Sequence, residues 1–178
     1  MIKALGFATA LLAVGSTASF GQHHGPVHDA FAGYSMLAGD GETMHGGHAA
    51  LGWGVWGPRL GLLFDVSGHR GKDAEGTDVS VLSLMAGPRG TFGTGRLRPF
   101  VHVIGGVVRS KASVSVFDVE ISESSTEFGG AAGGGFDLRF GDRWALRIAG
   151  DYRVLKVDEG TASDPRFSAG VAYKFGAR

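Results

Sequence analysis

Seven histidines are the residues of this chain best suited to do chemistry. His23, His24 and His28 stand within six residues of one another, and His45 and His48 follow. Imidazole is a common metal ligand, so the cluster invites a divalent-metal site. Cysteine is absent and the histidines have no clear ligand spacing, so the preferred reading is a solvated tail that binds metal weakly, if at all. His69 and His102 stand apart, with Ser67 and Ser83 as conceivable nucleophiles beside them. Acyl transfer needs a base within reach of the hydroxyl, and no nucleophile-bearing motif surrounds either serine. The expectation is therefore no enzyme, no cofactor and no metal. What remains is a set of charges: Asp65, Arg89, Asp137, Arg139, Arg147, Asp151, Arg153 and Lys174.

Those charges fall on a strict period of two. Over 126–176, one side carries Phe128, Phe136, Leu138, Leu146, Ile148, Tyr152, Val154, Phe167, Val171 and Phe175. The other carries Gly133, Gly135, Asp137, Arg139, Arg147, Asp151, Arg153, Gly170 and Lys174. Successive strand side chains point to opposite faces, so this stretch is a sheet with one apolar and one charged face.

Composition sets the frame. Lysine plus arginine and aspartate plus glutamate balance at 17 each, which removes the basic footprint expected of a nucleic-acid binder. Glycine, at 32 residues, argues for turns and close-packed strands rather than helices. Residues 1–21 read as an export signal, with Lys3 ahead of a short apolar run over 4–14 and small residues after it. A polar, histidine-containing leader over 22–29 follows, and 30–176 forms one domain.

Turn signals divide that domain into eight strand candidates: 30–37, 48–56, 59–68, 78–92, 97–110, 126–140, 144–157 and 166–176. Most reach the about 9–11 residues that a tilted strand needs to cross a bilayer core. The connections alternate long and short: 38–47, then Gly57-Pro58, then 69–77, then 93–96, then 111–125, then 141–143, with 158–165 last. An antiparallel meander puts all the long ones at one end, as in bacterial outer-membrane barrels. Phe31, Trp56, Phe92, Phe100, Phe140, Trp144 and Phe175 all fall at the short-turn end, where a membrane barrel places an aromatic girdle. Phe64, Phe128 and Tyr152 are candidates for the opposite girdle. Two places break the pattern. Val79 and Val81 are out of phase with Leu82 and Leu84, which predicts a bulge or an extension beyond the bilayer. The fifth strand is apolar on both faces near its middle, and His102 there fits either face. The alternation of 114–121 continues strands five and six into a hairpin above the membrane.

Alternation alone does not say which face is wet. A soluble lipocalin-like barrel encloses its apolar face around a hydrophobic ligand, and a membrane barrel encloses its charged face. Small residues share the charged face here, and the interior of an eight-stranded barrel has little room. With the loop asymmetry and the aromatics at one end, this favours an all-β, eight-stranded antiparallel up-and-down transmembrane β-barrel. Its lumen then holds the eight charges as a plug of mutual salt bridges, because a charge in a narrow lumen must be paired.

Several segments carry a family resemblance: Phe31-Ala-Gly-Tyr-Ser35, Gly61-Leu-Leu-Phe-Asp-Val-Ser-Gly-His69, Ala86-Gly-Pro-Arg-Gly-Thr-Phe92, Arg98-Pro-Phe-Val-His102, Gly133-Gly-Gly-Phe-Asp137, Trp144-Ala-Leu-Arg-Ile-Ala-Gly-Asp-Tyr152 and Arg166-Phe-Ser-Ala-Gly-Val-Ala-Tyr173. In this order, over nearly all of the mature chain, they resemble the outer-membrane β-barrel proteins of the porin, OmpA-like and opacity-like kind. The resemblance implies a barrel in the outer membrane of a Gram-negative bacterium, in contact with outer-membrane lipid and, during biogenesis, with the barrel-assembly machinery. Such barrels often end on an aromatic residue that this machinery reads, whereas here Gly176-Ala177-Arg178 follows Phe175.

The resemblance implies no activity. A structural or surface-interacting role through the long outer loops, with an extracellular ligand, is the leading expectation. A narrow ion-conducting channel and a soluble periplasmic lipocalin-like binder are the alternatives.

Overall fold

The computed structural model describes residues 28–38, 43–57, 59–72, 77–93, 95–116, 119–157 and 160–175. The segment 1–21, read above as an export signal, and His23 and His24 lie outside them. Eight strands run in chain order: β1 His28–Ala38, β2 Thr43–Trp56, β3 Leu60–Lys72, β4 Asp78–Thr91, β5 Leu97–Val116, β6 Val119–Phe140, β7 Trp144–Val157 and β8 Gly160–Phe175. Each pairs antiparallel with its neighbour, and β1 pairs with β8 from His28↔Phe175 to Leu37↔Arg166, closing the barrel. Closure leaves no sheet edge, which is the condition for a sheet to sit in lipid.

The tight turns depend on glycine. Gly57, Gly93 and Gly141 hold φ of 69°, 75° and 81° at the β2–β3, β4–β5 and β6–β7 connections, a region that other residues rarely adopt. The opposite end differs from the loop reading. Much of 38–47, 69–77 and 111–125 is strand: β2 starts at Thr43, β3 runs to Lys72, and β5 and β6 pair as far as Val116↔Val119. Once a hairpin partner is in register, continued ladder bonds satisfy backbone groups that a loop would leave to water. The outer end is therefore built of extended hairpins, the tallest being β5–β6. β1 starts at His28, so Asp29 is a barrel residue rather than part of the leader.

Side chains follow the pleat. Leu60, Leu62, Phe64 and Val66 on β3, Val101, Val103 and Val107 on β5, and Leu146, Ile148, Tyr152 and Val154 on β7 all face outward and exposed. So large an apolar belt marks a surface meant for something other than water. A soluble ligand binder would have the reverse arrangement. Inside, Leu63, Met85, Ile104 and Val108 form an apolar cluster with Phe31 and Leu155.

Two expectations need correction. β4 carries no bulge: it pairs with β3 in unbroken register from Leu60↔Gly90 to Lys72↔Asp78. Val79 and Val81 point inward, Val81 being buried and Val79 packed on the core cluster, because this part of the interior is apolar. The register shift lies instead between Gly54 and Trp56, against β3. Phe31 and Phe100 are not girdle residues; they are 3% and 4% exposed and turn into the barrel. Phe92, Phe140, Trp144 and Phe175 stay outward at the short-turn end, joined by Trp53. Phe64, Phe128 and Tyr152 also face outward.

Candidate functional site

The interior holds two chains of alternating acidic and basic side chains. At the short-turn end, Arg89 donates to Asp29 through both terminal nitrogens. Asp29 also accepts from Arg147 Nη2 at 2.8 Å. Arg147 in turn donates to Asp137 from Nε at 2.7 Å and Nη2 at 3.1 Å. Lys174 Nζ completes the chain 3.4 Å from Asp137. The Arg147 guanidinium lies 5.0 Å from the Phe100 ring centroid and 5.5 Å from that of Phe31. These inward phenylalanines cover the cation with π faces that attract it.

Nearer the outer end a second chain runs His48, Asp65, Arg166, Asp151, His102. Arg166 uses all five N–H groups: Nε and Nη2 on Asp151 at 2.8 and 2.6 Å, Nη1 and Nη2 on Asp65 at 2.9 and 3.0 Å, and Nη1 on Ser67 at 3.0 Å. His48 Nε2 is 2.6 Å from Asp65. His102 Nε2 sits 2.7 Å from Asp151, within ion-pair distance but off the hydrogen-bonding direction. Strand geometry explains why these groups meet. The inward positions of β3, β7 and β8 bring Asp65, Asp151 and Arg166 to one level, and Asp151 is the cross-strand partner of Arg166.

Glycines make the room. A Cβ at Gly52 would overlap Arg89 Nη2 and stand 2.6 Å from Asp29. One at Gly133 would overlap Asp151 Oδ1. A run of glycine on the charged face of β6 thus lets carboxylates and guanidiniums cross a narrow lumen. Two interior cavities, about 10 and 20 Å³ in volume, flank Arg147; each holds about one water molecule.

The charges named from the sequence divide accordingly. Asp65, Arg89, Asp137, Arg147, Asp151 and Lys174 lie in the two chains. Arg153 is fully buried, its guanidinium makes no hydrogen bond, and it faces Asp164 across the β7–β8 pair. Arg139 sits at the short-turn mouth and donates to the Asp142 carbonyl at 3.1 Å, outside both chains. Asp29, Arg166, His48 and His102 are members that the sequence reading did not place in the network.

The catalytic and metal readings gain nothing from the geometry. Ser67 and Ser83 bond each other at 2.7 Å, and His69 Nε2 meets Ser35 Oγ at 2.9 Å instead. That serine–histidine pair is sealed in the wall: Ser35 is fully buried, His69 is 1% exposed, and no carboxylate holds the His69 Nδ1. Among the described residues no group of three or more histidine, aspartate or glutamate side chains is placed to hold a metal. His28 packs on Trp53, His45 hydrogen-bonds Tyr34, and His48 pairs with Asp65.

Comparison with known proteins agrees with this geometry. A family profile for the outer membrane protein beta-barrel domain matches residues 7–175. Among solved structures the fold is similar to that of Neisserial surface protein A, with 17% identity, a TM-score of 0.66, and 84% of this chain and 97% of that one covered. It is also similar to Ail, the attachment invasion locus protein of Yersinia pestis, at 20% identity and TM-score 0.56, covering 84% and 97%. A major outer membrane protein from Thermus thermophilus matches at 14% identity and TM-score 0.64, covering 85% and 100%. No curated protein matches in sequence. An inward charge network, an outward apolar belt and the family match together place the protein in the outer membrane of a Gram-negative bacterium, and the chain belongs to the outer membrane protein beta-barrel domain family.

Proposed function

We propose that this barrel is a non-enzymatic surface protein: a rigid, plugged scaffold that presents its outer hairpins to an extracellular ligand. The observation that carries this reading is the filled lumen. Two chains of buried ion pairs cross it at different levels, and the two cavities beside Arg147 each have room for about one water. A lumen filled in this way leaves the outer end as the surface for interaction. There the β5–β6 hairpin is the tallest: β6 runs from Val119 to its first pair with β7 at Gly129, while β5 stays paired with β4 as far as Ser113 and ends at Val116. Loops and hairpin tips on rigid scaffolds usually carry recognition. The lumen charges then act as structural filling, and delivery to the membrane by an export signal over 1–21 and the barrel-assembly machinery belongs to the same reading. Ail, a neighbour of similar fold, has been solved with the heparin analogue sucrose octasulfate, which makes heparin a suitable first probe.

The test uses the full-length barrel. Reconstituted in a planar bilayer it is expected to pass no steady current. Displayed on cells it is expected to hold immobilised heparin, and to lose that binding when the β5–β6 hairpin is cut back to the barrel rim. Steady conductance would favour a channel, and binding unchanged by trimming would remove the role assigned to the hairpin.

A further inference from the structure

Cations gather on one sector of the outer rim, on the outward face of the wall. Arg70, Lys72, Arg109 and Lys111 are all exposed and occupy outward positions on β3 and β5, with the exposed His45 of β2 beside Arg70. The register sets them in rows. His45 is paired with Arg70, Arg70 with Ser80, and Ser80 with Lys111. One step inward, Leu82 is paired with Arg109. Among the described residues the carboxylate on this sector is Asp78, which opposes Lys72. No described residue makes an ion pair with Arg70, Arg109 or Lys111. Arg70 and Lys111 flank Ser80, and Arg109 lies two residues from Lys111 on the same outward face, so three positive charges share one patch, which in a chain of zero formal net charge is not a compositional necessity. An anion shared between them would remove the repulsion.

Depth identifies the anion's source. From Leu60 to Arg70 is ten residues of β3. At about 3.3 Å rise per residue and a tilt of about 40°, that spans about 25 Å along the membrane normal, the height of an apolar barrel belt. The row therefore meets the outer-leaflet headgroups. Directly below it the wall is hollow. Gly47 and Gly68 are adjacent across β2–β3 and sit on the outward face. A Cβ at Gly47 would meet nothing within 4 Å, and one at Gly68 would meet only Leu82 at 3.9 Å. Tyr34 and Leu82 flank this shallow channel, paired with Gly47 and Gly68 respectively. We infer that the β1–β5 sector holds an outer-leaflet lipid, its phosphorylated headgroup on Arg70, Arg109 and Lys111 and an acyl chain in the Gly47–Gly68 channel.

This site lies on the wall below the hairpin tip, so it stands or falls separately from the heparin test. The full-length folded barrel is placed in phosphatidylcholine nanodiscs containing diphosphorylated lipid A, then extracted gently and weighed by native mass spectrometry. The intact protein is expected to retain lipid A. Arg70→Gln, Arg109→Gln and Lys111→Gln combined are expected to lower retention roughly a hundredfold, at roughly fivefold for each cation removed. Gly47→Leu, which fills the channel without touching charge, is expected to lower it as well. Lys156→Gln, on the far wall, is expected to leave it unchanged. A comparison needing no variant uses dephosphorylated lipid A, which the intact protein is expected to release. Equal retention of the two lipids, or undiminished retention by the folded triple variant, overturns the assignment.

Discussion

Arg166→Ala is expected to destabilise the folded barrel by about 3–5 kcal/mol. The reason lies in what is left behind. Arg166 is 1% exposed and holds two carboxylates that are buried almost as deeply, Asp65 and Asp151. With the guanidinium gone, Asp151 keeps only the misaligned contact with His102 and Asp65 keeps only His48. Both carboxylates are almost wholly withdrawn from solvent, and a stranded buried charge costs more than the lost bonds themselves. Urea titration of the refolded protein in vesicles, read by the mobility shift of unboiled samples, gives the change in midpoint. Arg166→Lys is expected to fall between, because a point charge cannot bridge two carboxylates with five donors. A triple variant, Arg166→Met with Asp65→Asn and Asp151→Asn, is expected to regain part of the loss, since removing all the charges leaves none unpaired. A midpoint unchanged in Arg166→Ala would mean that the second chain does not hold the barrel together.

The second large effect concerns the outer face. Val103 is 61% exposed near the middle of the outward stretch of β5. Val103→Arg is expected to cost about 2–4 kcal/mol in a bilayer, the depth-dependent cost of a charge on the lipid face of a barrel. Thr126→Arg, on the same outward face at the level of Arg109, is expected to cost about 0–1 kcal/mol, because the headgroup region hydrates it. The pair of variants separates position from chemistry, since both introduce the same side chain. Equal costs, measured by the same titration in vesicles of defined thickness, would contradict the proposed depth of the strands.

Much of this architecture is legible in the amino-acid order. Period two assigns Phe128, Leu146 and Val171 to one face and Asp137, Arg147 and Lys174 to the other, because a strand has only two faces. Neighbour pairing follows from short turns with a glycine at positive φ. What alternation cannot supply is who meets whom across the lumen. Asp29 and Arg147 lie 118 residues apart and touch only because the barrel closes. Arg166 reads as the first residue of a strand after Pro165, whereas ladder pairing carries β8 back to Gly160 and leaves Arg166 deep inside. Phe31 and Phe100 mislead for a related reason. Their position along the strand suggests a girdle, but their parity matches Asp29 and His102, and parity decides which way a side chain points. The serine–histidine pairing is hidden in the same way: His69 finds Ser35 on another strand rather than Ser67 beside it. Hairpin height is the part least readable, since polar alternation outside a membrane looks like a loop until a partner strand pairs with it.

The central claim is that the charged face is enclosed and the apolar face touches lipid. The chain contains no cysteine, so any introduced cysteine is a unique label site. Single cysteines from Val101 to Val108 of β5, each carrying a small fluorophore, would be scanned in vesicles of brominated phosphatidylcholine. Lipid quenching is expected at 101, 103, 105 and 107 and to be weak at 102, 104 and 108, following the alternation of exposed and buried side chains; position 106 is left out, because a Cβ there would meet the Leu84 carbonyl. Quenching in the opposite phase, or with no period of two, would contradict the account.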